Sequence, residues 1–375
     1  MRSRDIKEYG LNIGYSKVGI TSADSFTDYV AEVLSRGDKY DFFDFTSTNP
    51  LQGAIPKNIM PEAKSVIVLI YDYFQNDFPE ELKKMIGKIY LARCYNPLPG
   101  MLAHSRLELM KDYLSANGCK VNSSIGIPAR WAAAQAGVTT FGRNNFAYAG
   151  DTGSYIVIST IVVDMEFDYD KPTMESKCPP NCSACINACP TKAIYEPFKL
   201  NPKRCISFNN WITQDGRGSI SSFIPYELRE AIGGKIHGCD ICQDVCLLNQ
   251  KKLKAPKAVD RYIEQIAEDI ALPAILNMTD DFFMNRIKPI MYNYIKDKRY
   301  FMRNAALAMG NSKNEDYVKD LEIAITNPDE MVREYVVWAL GKIGGQYAER
   351  VLKSSLANES SDNVKQAINQ ALAQG

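Results

Sequence analysis

The cysteines are the residues of this chain best able to do chemistry, and eight of the ten fall between Cys178 and Cys246. The first group reads Cys178-x3-Cys182-x2-Cys185-x3-Cys189-Pro190, and the second, fifty residues after Cys189, reads Cys239-x2-Cys242-x3-Cys246. Short spacings ending in Cys-Pro are the ligand pattern of ferredoxin-type 4Fe-4S clusters, in which thiolates hold the iron. Eight thiolates make two clusters, and two clusters on one chain move electrons singly and at low potential. A disulfide framework belongs to small secreted domains, whereas this chain has 375 residues and a polar start without a signal-peptide pattern. Zinc would take separated cysteine pairs or cysteines with histidines, and the chain has two histidines in all.

The spacing also assigns ligands. In two-cluster ferredoxins the cysteine before proline crosses to the other cluster. Cys178, Cys182 and Cys185 are then expected to share one cluster with Cys246, and Cys189 to join Cys239 and Cys242. The eighth ligand falls to Cys205, in Lys203-Arg-Cys-Ile-Ser207. Cys94 and Cys119 lie outside the set and read as ordinary buried thiols.

These loops need elements to position them. Residues 1–170 read as alternating helices and strands. Val18–Thr21, Ser65–Tyr71 and the β-branched run from Gly153 to Asp164 have strand composition. Leu107–Ala116 has helical spacing with Asn117-Gly118 as a stop, and Ala129–Ala136 is an alanine-rich helix. The expected fold class is a mixed α/β N-terminal domain, then a ferredoxin-like double-cluster domain at 171–250, then α-helical repeats at 251–375. The repeat reading rests on Met302–Gly310, Val332–Gly341 and a degenerate third copy from Val364, whose starts are 30 and 32 residues apart. A period near thirty with one apolar helix per unit indicates a short helical solenoid.

Composition removes other classes. Lys+Arg and Asp+Glu balance at 44 each, so no global field draws the chain to nucleic acid. No apolar run reaches the ~18–20 residues that span a membrane. Neither Gly-x-Gly-x-x-Gly nor a Walker loop is present. Cluster cysteines stay assembled under reducing conditions, which points to the cytoplasm. Two basic runs are candidate phosphate contacts: Lys251, Lys252, Lys254 and Lys257, and then Arg286, Lys288, Lys296, Lys298, Arg299 and Arg303, with Asp297 the opposing charge there.

Taken in order, these motifs resemble the epoxyqueuosine reductases, cobalamin- and iron–sulfur-dependent enzymes of tRNA modification. The motifs that carry the resemblance are Cys182–Ile194, Arg204–Phe208 and His237–Cys246, supported by Gly19–Asp24, Met60–Val66, Ala136-Gly137, Gly153–Tyr155 and the repeat from Arg303. The resemblance covers nearly the whole chain. It implies a corrinoid held base-off between the N-terminal domain and the clusters, a low-potential electron donor, and an epoxide oxygen on tRNA leaving as water. It places Asn122, Arg130, Arg143, Asn144 and Ser154 near cofactor or substrate. It leaves Ser123 and Tyr148 as candidate catalytic residues. The family's proton-delivering aspartate lies seven residues before the arginine that matches Arg130, and here that position is Ser123; no carboxylate lies between Val121 and Asp151. The family's histidine before the Leu107 helix is replaced by Gly100, and Cys246 is followed by Leu rather than Pro. A second function is therefore open: an electron carrier that reduces the cobalt of a partner corrinoid protein.

Overall fold

The computed structural model describes residues 1–41, 50–95, 97–123, 126–211, 223–291 and 297–374. An amphipathic helix, α1 (Ser3–Asn12), leads into β1 (Lys17–Ser22). The central strand β2 (Ser65–Asp72) is a run of branched apolar residues, as a strand covered on both faces must be. Next come α2 (Leu102–Ala116), β3 (Val121–Asn122), α3 (Ala129–Gln135), the hairpin β4 (Thr140–Phe141) and β5 (Ala147–Tyr148), and β6 (Ile156–Val163). The main sheet has the order β1-β2-β6-β3, with all three pairings antiparallel.

Alternation along β2 divides its side chains between two layers. Val66, Val68 and Ile70 meet Ala132, Ala133 and Ala136 of the α3 segment, while Ile67 and Leu69 meet Ile6, Met110 and Leu114 of α1 and α2. The α3 chain comes so close that a β-carbon on Gly19 would stand 2.4 Å from the Ala136 carbonyl oxygen. The strand expected from Gly153 begins three residues later. Gly153 has φ +66°, a left-handed turn suited to glycine, and Ser154 is tied to the cluster domain.

Residues 73–95 leave the sheet. Phe74, Phe78, Leu82, Ile86 and Leu91 join Ile206, Ile232, Ile263 and the repeat helices in one apolar core. Single bridges Asp77–Val259 and Ile86–His237 fix this excursion. The cysteine region consists of short elements: α4 (Ala184–Ala188), the hairpin β7 (Ile194–Glu196) and β8 (Lys199–Leu200), α5 (Ile206–Trp211) and α6 (Ile241–Asp244).

The C-terminal repeats are α7 (Lys298–Ser312), α8 (Val318–Ala324), α9 (Glu330–Ile343), α10 (Gly345–Asn358) and α11 (Asp362–Gln374). The expected units fall on one row, with α7 packed on α9 and α9 on α11. Two glycines permit the close approach: a β-carbon at Gly310 would lie 2.7 Å from Ala339 Cα, and one at Gly341 would lie 2.7 Å from Ala371 Cβ. Asp297 and Asp329 cap α7 and α9 through the backbone N–H groups of Arg299 and Val332. Among the described residues no helix is long and apolar enough to cross a membrane.

Candidate functional site

The two cysteine groups fold into two neighbourhoods. Cys178, Cys182, Cys185 and Cys246 line one small pocket, together with Arg143 and Tyr148. Burial, then the nearby Cys246 and Cys178, pushes the Cys185 thiol up to about 11. Around the second neighbourhood, Cys205 feels Cys189, Cys239 feels Cys205, and Cys242 feels both Cys239 and Cys205. Burial is the leading cause for these three, raising Cys239 to about 12 and Cys242 well above the ordinary thiol value. Sulfurs so placed ionise only against a strong cation, and iron is one. Among the described residues no three His, Cys, Asp or Glu side chains converge tightly enough to hold one metal ion; a four-iron cluster spreads its thiolates over different irons. Cys94 and Cys119 are buried in the apolar cores.

Donors reach several sulfurs. The Arg143 backbone N–H donates to Cys178 Sγ at 3.4 Å, Ala193 N–H to Cys189 Sγ at 3.2 Å, and the Tyr148 hydroxyl to Cys246 Sγ at 3.1 Å. Such bonds help set a cluster's potential. They redefine Tyr148. Its hydroxyl is directed at a cysteine, and burial followed by the Cys246 contact holds it far above the ordinary phenol value, so it is a poor proton donor.

Arg143, Asn144 and Ser154 also point into the cluster domain. The Arg143 guanidinium donates to the Cys182 carbonyl (3.1 Å), and the Asn144 amide donates to the Cys242 carbonyl (3.2 Å) and to the Tyr148 hydroxyl (2.9 Å). Ser154 donates its N–H to Asn249 (2.9 Å) and its hydroxyl to Gln243 (3.0 Å). A β-carbon on Gly153 would stand 2.1 Å from Asn249 Oδ1. The Gly-Ser pair thus helps seat the second cysteine motif on the sheet domain. Asn122, Ser123 and Arg130 lie elsewhere. Asn122 and Ser123 are at the end of β3, with the Asn122 amide on the Ile59 carbonyl at 3.4 Å. Arg130 stands at the N-terminal end of α3 and donates to the Asn145 carbonyl. Ser124, next to Ser123, lies outside the described residues.

Sequence reasoning missed a buried charge beneath the second motif. The Lys88 ammonium bonds Asp244 at 2.7 Å and Asp240 at 3.3 Å, and its backbone N–H donates to Asp240 at 2.7 Å. The Tyr155 hydroxyl completes the network on Asp244 at 2.6 Å. Asp240 and Asp244 flank Cys242 in sequence, which is the one signal that could have pointed here. The repeats brace the same region: Arg303 donates to the Asn209 carbonyl (2.9 Å), and Asn304 to the carbonyls of Asn210 and Ile236 (both 2.8 Å).

This placement corrects the second basic run. Arg303 is fully buried and meets no phosphate. Arg286 pairs with Asp269, Lys298 with Asp280, and Arg299 with both Asp297 and Asp329. Three of those carboxylates are distant in sequence, so the local count understated them; Lys296 lies outside the described residues. In the first run Lys251 pairs with Asp151 and Lys252 with Asp72.

Comparison with known proteins agrees with this geometry. Residues 178–249 match the 4Fe-4S double cluster binding domain, and residues 294–373 match HEAT repeats. The epoxyqueuosine reductase of Bacillus subtilis is 27% identical over 379 residues, covering 98% of this chain and 94% of that protein. A solved epoxyqueuosine reductase with a tRNA-Tyr epoxyqueuosine-modified stem loop is 25% identical, with a TM-score of 0.81 over 99% of this chain and 98% of that one. The solved Bacillus subtilis enzyme, with its catalytic aspartate loop swung out of the active site, is 25% identical, with a TM-score of 0.80 over the same shares. Over nearly its whole length the chain is thus similar to the epoxyqueuosine reductases, with a double-cluster domain and HEAT repeats but no carboxylate between Val121 and Asp151.

Proposed function

We propose that this chain is an iron–sulfur reductase of the epoxyqueuosine reductase type, acting on an epoxide-bearing nucleoside in tRNA. The full-length likeness to relatives of that activity, with both cysteine neighbourhoods in place, carries the reading. Cys178, Cys182, Cys185 and Cys246 hold one cluster, and Cys189, Cys205, Cys239 and Cys242 hold the other. Residues 1–170, 171–250 and 251–375 serve as sheet, cluster and repeat units, with 73–95 crossing into the later two. The protein works in the reducing cytoplasm, fed by a low-potential electron donor.

The polar residues at the β3 end of the sheet domain would suit a corrinoid. Asn122, Ser123 and Arg130 offer donors for its amide arms. Both histidines stand apart, His237 fully buried against Tyr90 and Phe301, and His104 on α2. When bound, the corrinoid supplies the cobalt-centred reduction. Arg143 and Asn144 hold the cysteine loops against the sheet domain, so that the electron path is fixed before substrate arrives. To leave as water, the oxygen takes up two electrons and two protons. Ser123 stands where the family has an aspartate; its hydroxyl passes on a proton from water rather than acting as a matched acid, because its pKa lies far from working pH. Turnover is accordingly slow.

The absent carboxylate also favours a second reading, a carrier that reduces a partner's corrinoid and needs no acid of its own. The deciding experiment incubates the reconstituted, reduced protein with an epoxyqueuosine-containing tRNA stem loop and follows loss of one oxygen by mass spectrometry. Conversion supports the reductase. No conversion, together with reduction of an added corrinoid protein, favours the carrier.

A further inference from the structure

A second surface adjoins the cluster neighbourhood of Cys246. Tyr148, whose hydroxyl touches Cys246 Sγ, and Leu248 line both the cysteine pocket and a neighbouring open cavity of about 760 Å³. That cavity lies beyond the C-terminal end of α3, at Gly137–Thr140, whereas Arg130 stands at the helix's N-terminal end. It is bordered by Lys17, Lys177 and Lys251, with Asp151 and Glu175. Lys251 pairs with Asp151 at 2.7 Å, whereas Lys17 and Lys177 make no ion pair among the described residues. Leu247, directly after Cys246 and lining the cysteine pocket, is 59% exposed, and Met174 on the open cavity is exposed as well.

We infer that this face is where electrons arrive, and that its partner is a small, acidic, low-potential one-electron carrier protein. The inference rests on the iron–sulfur reading above. Exposed apolar side chains beside lysines suit a brief encounter: the charges steer an acidic partner, and the small apolar patch lets it leave again. The exchange makes and breaks no bond. One electron leaves the carrier's reduced centre, which is oxidised, and the cluster held by Cys246 is reduced by one electron. From there electrons pass to the second cluster.

The test uses the cluster-loaded, full-length protein and a reduced plant-type 2Fe-2S ferredoxin as the acidic carrier. Stopped-flow bleaching of the cluster absorbance gives the second-order rate, and a titration with oxidised ferredoxin gives the affinity. Reduced methyl viologen is the small-molecule control. Lys17→Gln/Lys251→Glu is expected to slow reduction by ferredoxin at least tenfold at low salt and to weaken binding in step, with the viologen rate held within twofold. Asp151→Lys, an exposed site, is expected to speed ferredoxin reduction, and rising salt to erase both differences. Equal ferredoxin rates in all three proteins, or changes that appear equally with viologen, overturn the docking surface. Bleaching does not require an epoxide, so failure of the substrate reading leaves this test intact. Absence of bleaching even with viologen overturns the iron–sulfur reading and this inference with it.

Discussion

Replacing Lys88 by Met removes the ammonium that Asp240 and Asp244 share. Burial lowers the Lys88 pKa, but the two carboxylates outweigh it and the pKa is raised; the lysine is therefore charged, and its contribution is complete at neutral pH and is lost only as pH rises above its ordinary range. Lys88 is 5% exposed and Asp240 4%. Stranding a buried charge costs about 3–5 kcal/mol. Asp240 would keep the backbone N–H of residue 88 and the Gln243 amide at 3.3 Å, which places the cost near the lower end. Asp244 is 42% exposed at its side chain and can take up water, adding less than about 1 kcal/mol. The expected loss is about 3 kcal/mol, more than a hundredfold in the unfolding ratio. The assay is anaerobic urea unfolding of the cluster-loaded protein, followed by visible absorbance. Lys88→Met/Asp240→Asn should recover part of the loss, because it removes the stranded charge. A Lys88→Met variant within about 0.5 kcal/mol of the parent, or a double variant no better than the single, would refute the reasoning.

Further perturbations address other parts of the account. Tyr148→Phe removes the hydrogen bond to Cys246; at ~1 kcal/mol this lowers one cluster's potential by roughly 40 mV, read by EPR-monitored redox titration. Gly341→Leu places a side chain against Ala371 and should destabilise the repeats by about 1–3 kcal/mol, seen in the thermal melt of the intact protein. The Arg333 hydrogen bond holds the Glu359 pKa below its ordinary 4.5. That stability is present above pH 4.5 and is lost as pH falls through the depressed value, so Glu359→Gln should flatten the acid limb of the stability profile. Ser123→Asp supplies a matched acid and should raise stem-loop turnover on the order of a hundredfold, with iron content unchanged.

Much of the fold was legible because the signals were periodic. The β-branched runs at 65–71 and 156–163, the alanine helix after 129 and the thirty-residue repeats each carry their burial pattern in the chain itself. The cysteine spacings were legible for another reason: ligand chemistry imposes them locally. What escaped were contacts made across long separations. Lys88 stands 152 residues from Asp240, and nothing around it in sequence marks it as buried. Arg143, Asn144 and Ser154 were picked out by position, but their hydrogen-bond partners lie on the cysteine loops. Arg303 read as surface charge because an arginine on a helix looks the same in sequence whether it faces solvent or the Asn209 carbonyl.

The central claim is that two four-iron clusters on this chain serve a corrinoid bound by the same chain. Anaerobic reconstitution with iron, sulfide and cobalamin, then gel filtration, tests it in one measurement of iron content and visible spectrum. The account predicts about eight irons per chain and a co-eluting corrinoid with a base-off band. Full iron content with all cobalamin left in the low-molecular-mass fraction would contradict it.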